Sequence, residues 1–322
     1  MRFDHETLPQ RVRFAPGGAA EAVGEELDRL GASRVMRIGR HLPTPAVLVW
    51  DEVVMHVPVP VAERARKAAV EHGVDAIVAV GGGSATGLAK AIALTTGLPI
   101  VAVPTTYAGS EATNVWGLTD GGRKTTGVDP RVLPRAVVYD STLTRSLPVD
   151  LSVSSGLNAL AHCVDSLWAP RADPINAALA GEGIRVLTAA LPQVQERRDE
   201  ALLGAYLAAV AFASAGSGLH HKICHVLGGM FDLPHAPTHA VVLPHVLALN
   251  ESAAAGRITL DDLNALRRRL DAPRALKDYG FDEARIPAAV EAILPVVPAG
   301  NPVPVTAEVL HRLLHDAWEG TR

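Results

Sequence analysis

A mostly apolar run that ends in glycines places the strongest constraint on the fold of this chain. Residues 75–80 read Asp-Ala-Ile-Val-Ala-Val, Gly81 to Ser84 follow, and a helical pattern continues to Thr96. A short run of this kind is typical of a strand that is buried on both faces of a parallel sheet. Further elements are predicted as strands at 34–39, 47–50, 99–104 and 136–140 and as a helix at 61–72. Strand, helix and strand in close succession predict a parallel sheet with crossover helices.

The pattern changes after Pro148. From Asp150 to Arg198 apolar residues recur at threes and fours, and helices are predicted from Ala201 to about Leu227 and through the C-terminal third. A chain of 322 residues is long for one core, so two domains are expected. The predicted fold class is an α/β domain with a parallel sheet at residues 1–148, followed by an all-α domain at residues 149–322.

Charge, apolar stretches and cysteine content restrict the possible partners and location of the protein. The formal net charge is −4 and there is no basic run, which argues against nucleic acid and anionic membranes as partners. No apolar stretch reaches membrane-spanning length, and the N-terminus lacks the apolar core of a signal peptide. The two cysteines make no disulfide framework, so a cytoplasmic location is expected.

Three segments of the first domain suit a phosphate-bearing ligand. Gly81, Gly82, Gly83 and Ser84 lie between a strand and a helix, where backbone N–H groups and the helix dipole favour an anion; a plain tight turn is the alternative. Thr105 and Thr106 follow the next strand, although threonines also cap helices. Lys124 offers a cation, or is an ordinary hairpin lysine.

Five histidines fall within residues 220–239, and His221/His225 and His235/His239 each repeat a four-residue spacing that shares one helix face. Imidazole ligates metals and moves protons near neutral pH, so the cluster indicates a metal or proton-transfer site, with surface histidines in a loop as the alternative. His221 is predicted on a helix and His235 in the loop beyond it. Asn158 and His162 form a similar pair, which alone is more often a satisfied polar contact.

Together these motifs resemble the iron-containing (group III) alcohol dehydrogenase superfamily, and within it the maleylacetate reductases. The resemblance is carried by residues 81–84, 104–111, 121–124, 219–222, 231–236 and 238–245, with Asn158, His162 and His225. It covers nearly the whole chain. It implies a dinucleotide-binding N-terminal domain, a helical substrate domain and, by likeness to the family, a homodimer.

The resemblance also implies a ligand set. The family's metal ligands, an aspartate and three histidines, correspond to Asn158, His162, His221 and His235. Asn158 is a neutral amide where the metal enzymes hold a carboxylate, and the same substitution is found in maleylacetate reductases, which are regarded as not needing the metal. No bound iron or zinc is therefore predicted. The candidate catalytic residues are Asn158, His162, His221, His225, His235 and His239, as hydrogen-bond donors to substrate and as a proton donor.

If the reaction is the family one, NADH or NADPH delivers hydride to the activated double bond of a small carboxylic acid, maleylacetate, and the product is 3-oxoadipate. Thr105, Thr106 and Lys124 match family positions near the nicotinamide and its ribose. The sequence thus predicts a metal-independent, nicotinamide-dependent reductase that acts on C=C or a carbonyl.

The chain departs from the family near its start. Only residues 40–46 separate two predicted strands, whereas a parallel crossover with a helix needs a dozen or more residues. Arg40 stands where the family often carries an acidic residue for the ribose, which favours NADP. Residues 125–129 and 300–304 lack arginines expected for carboxylate binding. A redox-silent relative is therefore the alternative, with the same histidines performing elimination, isomerisation or cyclisation in a biosynthetic pathway.

Overall fold

The computed structural model describes residues 2–121 and 123–322, and of Arg123 and Lys124 only the backbone. It divides the chain into two compact units, one at Leu8–Leu147 and one made of Pro148–Arg322 together with the segment up to Thr7. The strands of the first unit are β1 Arg11–Phe14, β2 Val35–Gly39, β3 Leu48–Trp50, β4 Ala76–Gly81, β5 Ile100–Pro104, β6 Val115–Asp120, β7 Arg123–Val128 and β8 Ala136–Tyr139. Its helices are α1 Ala19–Leu30, α2 Val59–Glu71 and α3 Gly83–Thr96.

The main sheet is parallel throughout, with the strand order β1-β8-β5-β4-β2-β3. Alternate residues of β4 enter two different hydrophobic cores: Ile77 and Ala79 pack with α2 and α3, and Val78 packs with α1. The strand is apolar along its length because both faces are covered. The predicted α/β fold class of this part is confirmed.

The connection from β2 to β3 contains no helix. Residues 40–47, all of them described, join two strands that pair directly in parallel, with Met36 opposite Leu48. Gly39 ends β2 at φ +85°, and a side chain there would meet the carbonyl oxygen of Val80. Since residues with a Cβ rarely adopt this backbone conformation, glycine lets the chain leave the sheet abruptly at this point.

The second unit is helical, as predicted. Its helices are α4 Val149–Ser166, α5 Pro174–Ala190, α6 Arg198–Ala215, α7 Leu219–Phe231, α8 His235–Asn250, α9 Leu260–Arg269, α10 Ile286–Ile293 and α11 Ala307–Glu319. Helix α4 is buried along most of its length and contacts α5, α6, α7 and α8. Because neighbouring helices surround α4, polar side chains on it are held in fixed positions.

The first residues belong to this helical unit. His5 Nδ1 lies 2.9 Å from a carboxylate oxygen of Asp173, the residue that caps α5. No single helix in the described chain is long and apolar enough to cross a membrane; α6 and α7 reach that length only as a pair, bent by 97°.

Candidate active site

The glycine turn and the threonine segment lie side by side at the carboxyl ends of β4 and β5. Gly81 pairs with Pro104, and the Thr105 N–H donates to the Gly81 carbonyl at 3.0 Å. A Cβ added to Gly82 would lie 2.9 Å from Cγ2 of Thr106, so no other residue fits there without movement. The carboxyl edge of a parallel sheet is where α/β folds bind ligands.

Helix α3 begins in this turn, at Gly83, and no side chain caps its N-terminus. Ser84 is half-buried in its first turn. The first N–H groups of a helix have no partner within the helix and carry the positive end of its dipole. This turn therefore fits a phosphate group. The third predicted cofactor-side segment is represented by Lys124, whose side chain lies outside the described residues.

Buried Lys90 ties α3 to the segment that follows Thr106. Its ammonium donates to the carbonyls of Ser110, Thr113 and Val115 at 2.6–2.8 Å and to the Thr113 hydroxyl at 3.1 Å. Burial lowers the pKa of Lys90 to about 7, against the attraction of Glu111. The lysine therefore ties α3, which begins at the glycine turn, to residues 110–115, which follow the threonine segment.

Arg40, considered as a contact for a 2′-phosphate, has protein partners. Its guanidinium donates to the Leu143 carbonyl at 3.3 Å and to the Ser146 hydroxyl at 2.8 Å. The side chain remains exposed, so these contacts do not bury it. Its role in choosing between NAD and NADP stays a prediction.

In the helical unit, one face of α4 presents Asn158, His162 and Asp165, at spacings of four and three residues. All three are buried. Asp165 accepts hydrogen bonds from three backbone N–H groups at the start of α7, those of Gly218, His220 and His221, at 2.8–3.4 Å. Burial raises the pKa of Asp165, and these donors stabilise its ionised form.

Asp165 also orients His221. Nδ1 of His221 lies 2.8 Å from the Asp165 carboxylate, so it carries the ring proton and Nε2 is left as an acceptor. Burial lowers the pKa of His221 well below its usual value, which keeps the ring neutral near pH 7. Nε2 has no hydrogen-bond partner among the described residues, and neither do Nδ1 of His162 and Oδ1 of Asn158.

Aromatic stacking holds His162 beside His221. The two ring centroids are 4.8 Å apart with nearly parallel planes, and Phe212 on α6 contacts both rings. Burial lowers the pKa of His162 to about 4, so it too is neutral at pH 7. The two neutral imidazole rings are therefore held side by side in fixed positions.

The remaining predicted histidines lie beside the rings of His162 and His221. His225 lies next to His221 on α7, with ring centroids 6.1 Å apart, and is exposed. The expectation that His235 lies in a loop is wrong: it is the first residue of α8, and the extended backbone of Pro234 directly before it marks the start of that helix. His235 is exposed and lies 4.3 Å, ring to ring, from buried His239. The structure brings the histidines of α4, α7 and α8 together.

Comparison with known proteins agrees with this architecture. The family model for iron-containing alcohol dehydrogenase matches residues 9–141, and the model for the C-terminal part of the Fe-containing alcohol dehydrogenase family matches residues 152–260. The chain belongs to the iron-containing alcohol dehydrogenase family.

Within the iron-containing alcohol dehydrogenase family, the chain is 43% identical to the maleylacetate reductase of Pseudomonas knackmussii, over 99% of each chain. The alignment spans 350 positions, so the relative carries segments that this 322-residue chain lacks. Among solved structures, an iron-containing alcohol dehydrogenase from Corynebacterium glutamicum is 56% identical, with a TM-score of 0.97 over 100% of this chain and 98% of its own. Maleylacetate reductase from Agrobacterium tumefaciens is 38% identical, with a TM-score of 0.93 over 99% of both chains. The protein is a maleylacetate reductase-like oxidoreductase.

The resemblance predicts four metal-ligand positions, and as a set they lack the negative charge that a carboxylate would supply. Asn158, His162, His221 and His235 offer only neutral donors, and the nearby carboxylate of Asp165 already accepts hydrogen bonds. Among the described His, Cys, Asp and Glu side chains, ligand atoms of three residues converge only at His220, Cys224 and His239, and not at these positions. An amide in place of the carboxylate removes the one anionic ligand of the set and so lowers its affinity for a divalent ion.

Sequence reasoning missed two polar residues of the site. Asp165 stands seven residues after Asn158 on the same helix face, a spacing that identifies it once α4 is recognised as buried. Lys90 gave no signal, because a lysine on an otherwise apolar helix reads as an exposed residue until the helix is seen to be buried.

Proposed function

We propose that this protein is a metal-independent, NADH- or NADPH-dependent reductase that acts on the activated double bond, or carbonyl, of a small carboxylic acid of the maleylacetate type. The observation that carries the proposal is the buried Asp165–His221 pair, whose Nε2 has no partner among the described residues. Similarity to maleylacetate reductases over the full chain supports the reaction class.

A bound nicotinamide would supply the hydride. The residues suited to hold the cofactor are Gly82, Gly83 and Ser84, whose backbone fits a pyrophosphate, and Thr105 and Thr106, which lie beside that turn. The contacts of Lys90 hold this end of the sheet in place before the cofactor binds. Binding therefore does not lose the free energy that ordering a flexible site would cost.

His221 Nε2 is the atom at which a proton is exchanged. A substrate carboxylate beside the ring favours the imidazolium, and Asp165 stabilises the charge through Nδ1. Protonated Nε2 then donates a hydrogen bond to the enolate oxygen that develops as the double bond is reduced. This proton passes to the reduced substrate, and the neutral His221 that remains takes up another proton from solvent. His225 and His235, both exposed, are suited to meet the substrate carboxylates.

Two measurements test the proposal. Protein treated with a chelator is titrated with NADH and NADPH while nicotinamide fluorescence is recorded, and maleylacetate is then added. We expect saturable binding and cofactor oxidation that the chelator leaves unchanged. Absence of binding at millimolar cofactor would refute nicotinamide dependence, and activity restored only by added iron or zinc would refute metal independence.

A redox-silent enzyme is the second candidate, and the helix-free β2–β3 connection favours it. In the family this part of the chain leads into the adenosine-binding loop, and here residues 40–47 join adjacent strands directly. Such an enzyme would use the His221–Asp165 pair for elimination, isomerisation or cyclisation. Conversion of a small keto acid without any nicotinamide would support it. We also propose a homodimer, from the family likeness, and a cytoplasmic location, since both cysteines are free.

A further inference from the structure

We propose that His220, Cys224 and His239 form a binding site for a thiophilic metal ion, Zn²⁺, distinct from the four family ligand positions. Among the described residues, this is where three potential ligand atoms of His, Cys, Asp or Glu converge: they lie within 4.8 Å of one another. Of the three, only His239 is among the predicted catalytic residues. His220 and Cys224 have no part in the proposed reaction.

Secondary structure sets up the triad. His220 and Cys224 are one turn apart on α7, so both side chains leave the same face of that helix. His239 comes from α8, which packs against α7. Two ligands four residues apart on one helix and a third from its neighbour make a common arrangement for zinc.

The distances are close to those of a tetrahedral zinc site. Nε2 of His220 lies 2.9 Å from Nδ1 of His239 and 3.7 Å from Sγ of Cys224. With ordinary zinc–ligand bond lengths, tetrahedral geometry separates two nitrogen ligands by about 3.3 Å and nitrogen from sulfur by about 3.6 Å. For these two pairs, movements of a few tenths of an ångström bring the ligand atoms to the separations of a zinc site. The ligand atoms of the third pair, Cys224 and His239, lie within 4.8 Å of each other.

Burial and chemistry select the type of ion. All three side chains are at most 2% exposed. A soft thiolate and two imidazoles suit Zn²⁺ and disfavour Mg²⁺ and Ca²⁺, which prefer oxygen. On binding, the Cys224 thiol releases its proton to solvent and the sulfur bonds to the metal, with no change in oxidation state. The Asp165 carboxylate, 3.2 Å from the His220 backbone nitrogen, balances the remaining charge.

The ion would join α7 to α8, the helices that carry four of the predicted catalytic histidines. Because the ligands come together only in the folded chain, binding stabilises the native state. The expected role is structural. Hydride and proton transfer in the proposed reductase reaction do not need this ion.

The test uses the full-length protein expressed in zinc-supplemented and in cobalt-supplemented medium, so that metal can enter during folding. We expect one equivalent of zinc, a thiolate-to-cobalt charge-transfer band in the cobalt protein, and a Tm roughly 5 °C above that of chelated protein. The matched variants are Cys224→Ser, which should lose all three properties, and Cys163→Ser, which removes the other buried cysteine and should keep them.

His162→Ala separates this site from the family position and should keep the zinc. Protein without zinc from supplemented medium, or zinc retained in Cys224→Ser and lost in His162→Ala, would overturn the proposal. If Cys224→Ser fails to fold, the charge-transfer band of the wild-type cobalt protein still tests the proposal. A cobalt protein without that band has no thiolate ligand, which would contradict the proposed site. None of these measurements needs substrate or nicotinamide, so their failure leaves the reductase proposal standing.

Discussion

At the scale of single residues, the site depends on which ring nitrogen of His221 carries the proton. The contact of Nδ1 with Asp165, at 2.8 Å, leaves Nε2 without a partner among the described residues. A carboxylate in this position fixes the tautomer of the imidazole and stabilises the imidazolium, as it does in hydrolase triads. Asp165 is therefore a positioning residue, which acts on substrate through His221.

Asp165→Asn keeps the shape of the side chain and removes its charge. We expect kcat to fall by about 10²–10⁴-fold, the usual contribution of one general acid, with little change in KM. Steady-state kinetics with maleylacetate and NADH measure this.

The matched control is Trp168→Phe. It deletes another hydrogen bond to the same carboxylate, from Trp168 Nε1 at 3.2 Å, and leaves His221 in place. A kcat for Asp165→Asn within a factor of three of wild type would show that His221 does not depend on Asp165.

A second residue-scale prediction concerns the close approach at Gly82. Gly82→Ala places a methyl group 2.9 Å from Thr106, at a backbone conformation that alanine itself tolerates. We expect the Kd for NADH to rise at least tenfold while the fold is retained, as measured by fluorescence titration.

Gly229→Ala is the control for Gly82→Ala, because it lies on α7 with nothing within 4 Å of the added Cβ. It should leave cofactor binding unchanged and be neutral or slightly stabilising, by up to about 1 kcal/mol. Equal cofactor affinity in the two variants would place the phosphates elsewhere.

At the scale of secondary-structure elements, the hydrogen bonds of Lys90 connect α3 to the segment after β5. Lys90→Met removes a buried charge and leaves the carbonyls of Ser110, Thr113 and Val115 without this donor. We expect the free energy of unfolding to fall by about 3–5 kcal/mol, as in other cases where one partner of a buried charged network is lost. Urea denaturation followed by circular dichroism measures it.

Lys67→Met provides the comparison on α2, where an exposed lysine lies 3.8 Å from Glu71. Surface pairs of this kind contribute little, so a change below about 0.5 kcal/mol is expected. If Lys90→Met were as mild, the ammonium would not hold the segment.

At the scale of the whole molecule, burial of neutral histidines makes stability depend on pH. Burial lowers the pKa of His162 from 6.5 to about 4, and it also lowers those of His220, His221 and His239. Their folded pKa values lie below the unfolded value, so the unfolded chain takes up protons first as the pH falls. Stability is therefore complete above about pH 6.5 and is lost as the pH falls from there toward 4.

His162 alone should remove on the order of 3 kcal/mol over this interval. His162→Phe, which can still stack on Phe212 and His221, should lose less stability in acid than wild type. His311→Phe, on the exposed face of α11, should follow the wild-type curve. Thermal unfolding between pH 7 and 4 measures all three proteins, and parallel curves for wild type and His162→Phe would contradict this account.

Much of this molecule could be predicted from its sequence, because buried strands and helices leave clear apolar patterns. The run at 75–80 and the glycines after it identified β4 and the start of α3. Strand β1, Arg11–Phe14, was missed because it is a short edge strand with charged residues at alternate positions. Hairpin strand β6 is largely half-exposed, so it has no apolar run either.

The histidine cluster could be predicted in membership but not in arrangement. The i,i+4 spacings grouped His221 with His225 and His235 with His239. The contact between Asp165 and His221 joins residues 56 positions apart, and only the packing of α4 against α7 creates it. The same holds for the His220–His239 contact, which depends on α7 lying against α8.

Transfer of hydride from a nicotinamide to substrate, without a metal, is the central claim, and a single-turnover isotope experiment tests it most directly. Chelator-treated protein, confirmed to contain neither iron nor zinc, is mixed with maleylacetate and one equivalent of NADH or NADPH carrying deuterium on the transferable face of C4. The account predicts 3-oxoadipate that is heavier by one mass unit, formed at the rate of cofactor oxidation. Unlabelled product, or substrate turnover that leaves the cofactor reduced, would contradict it.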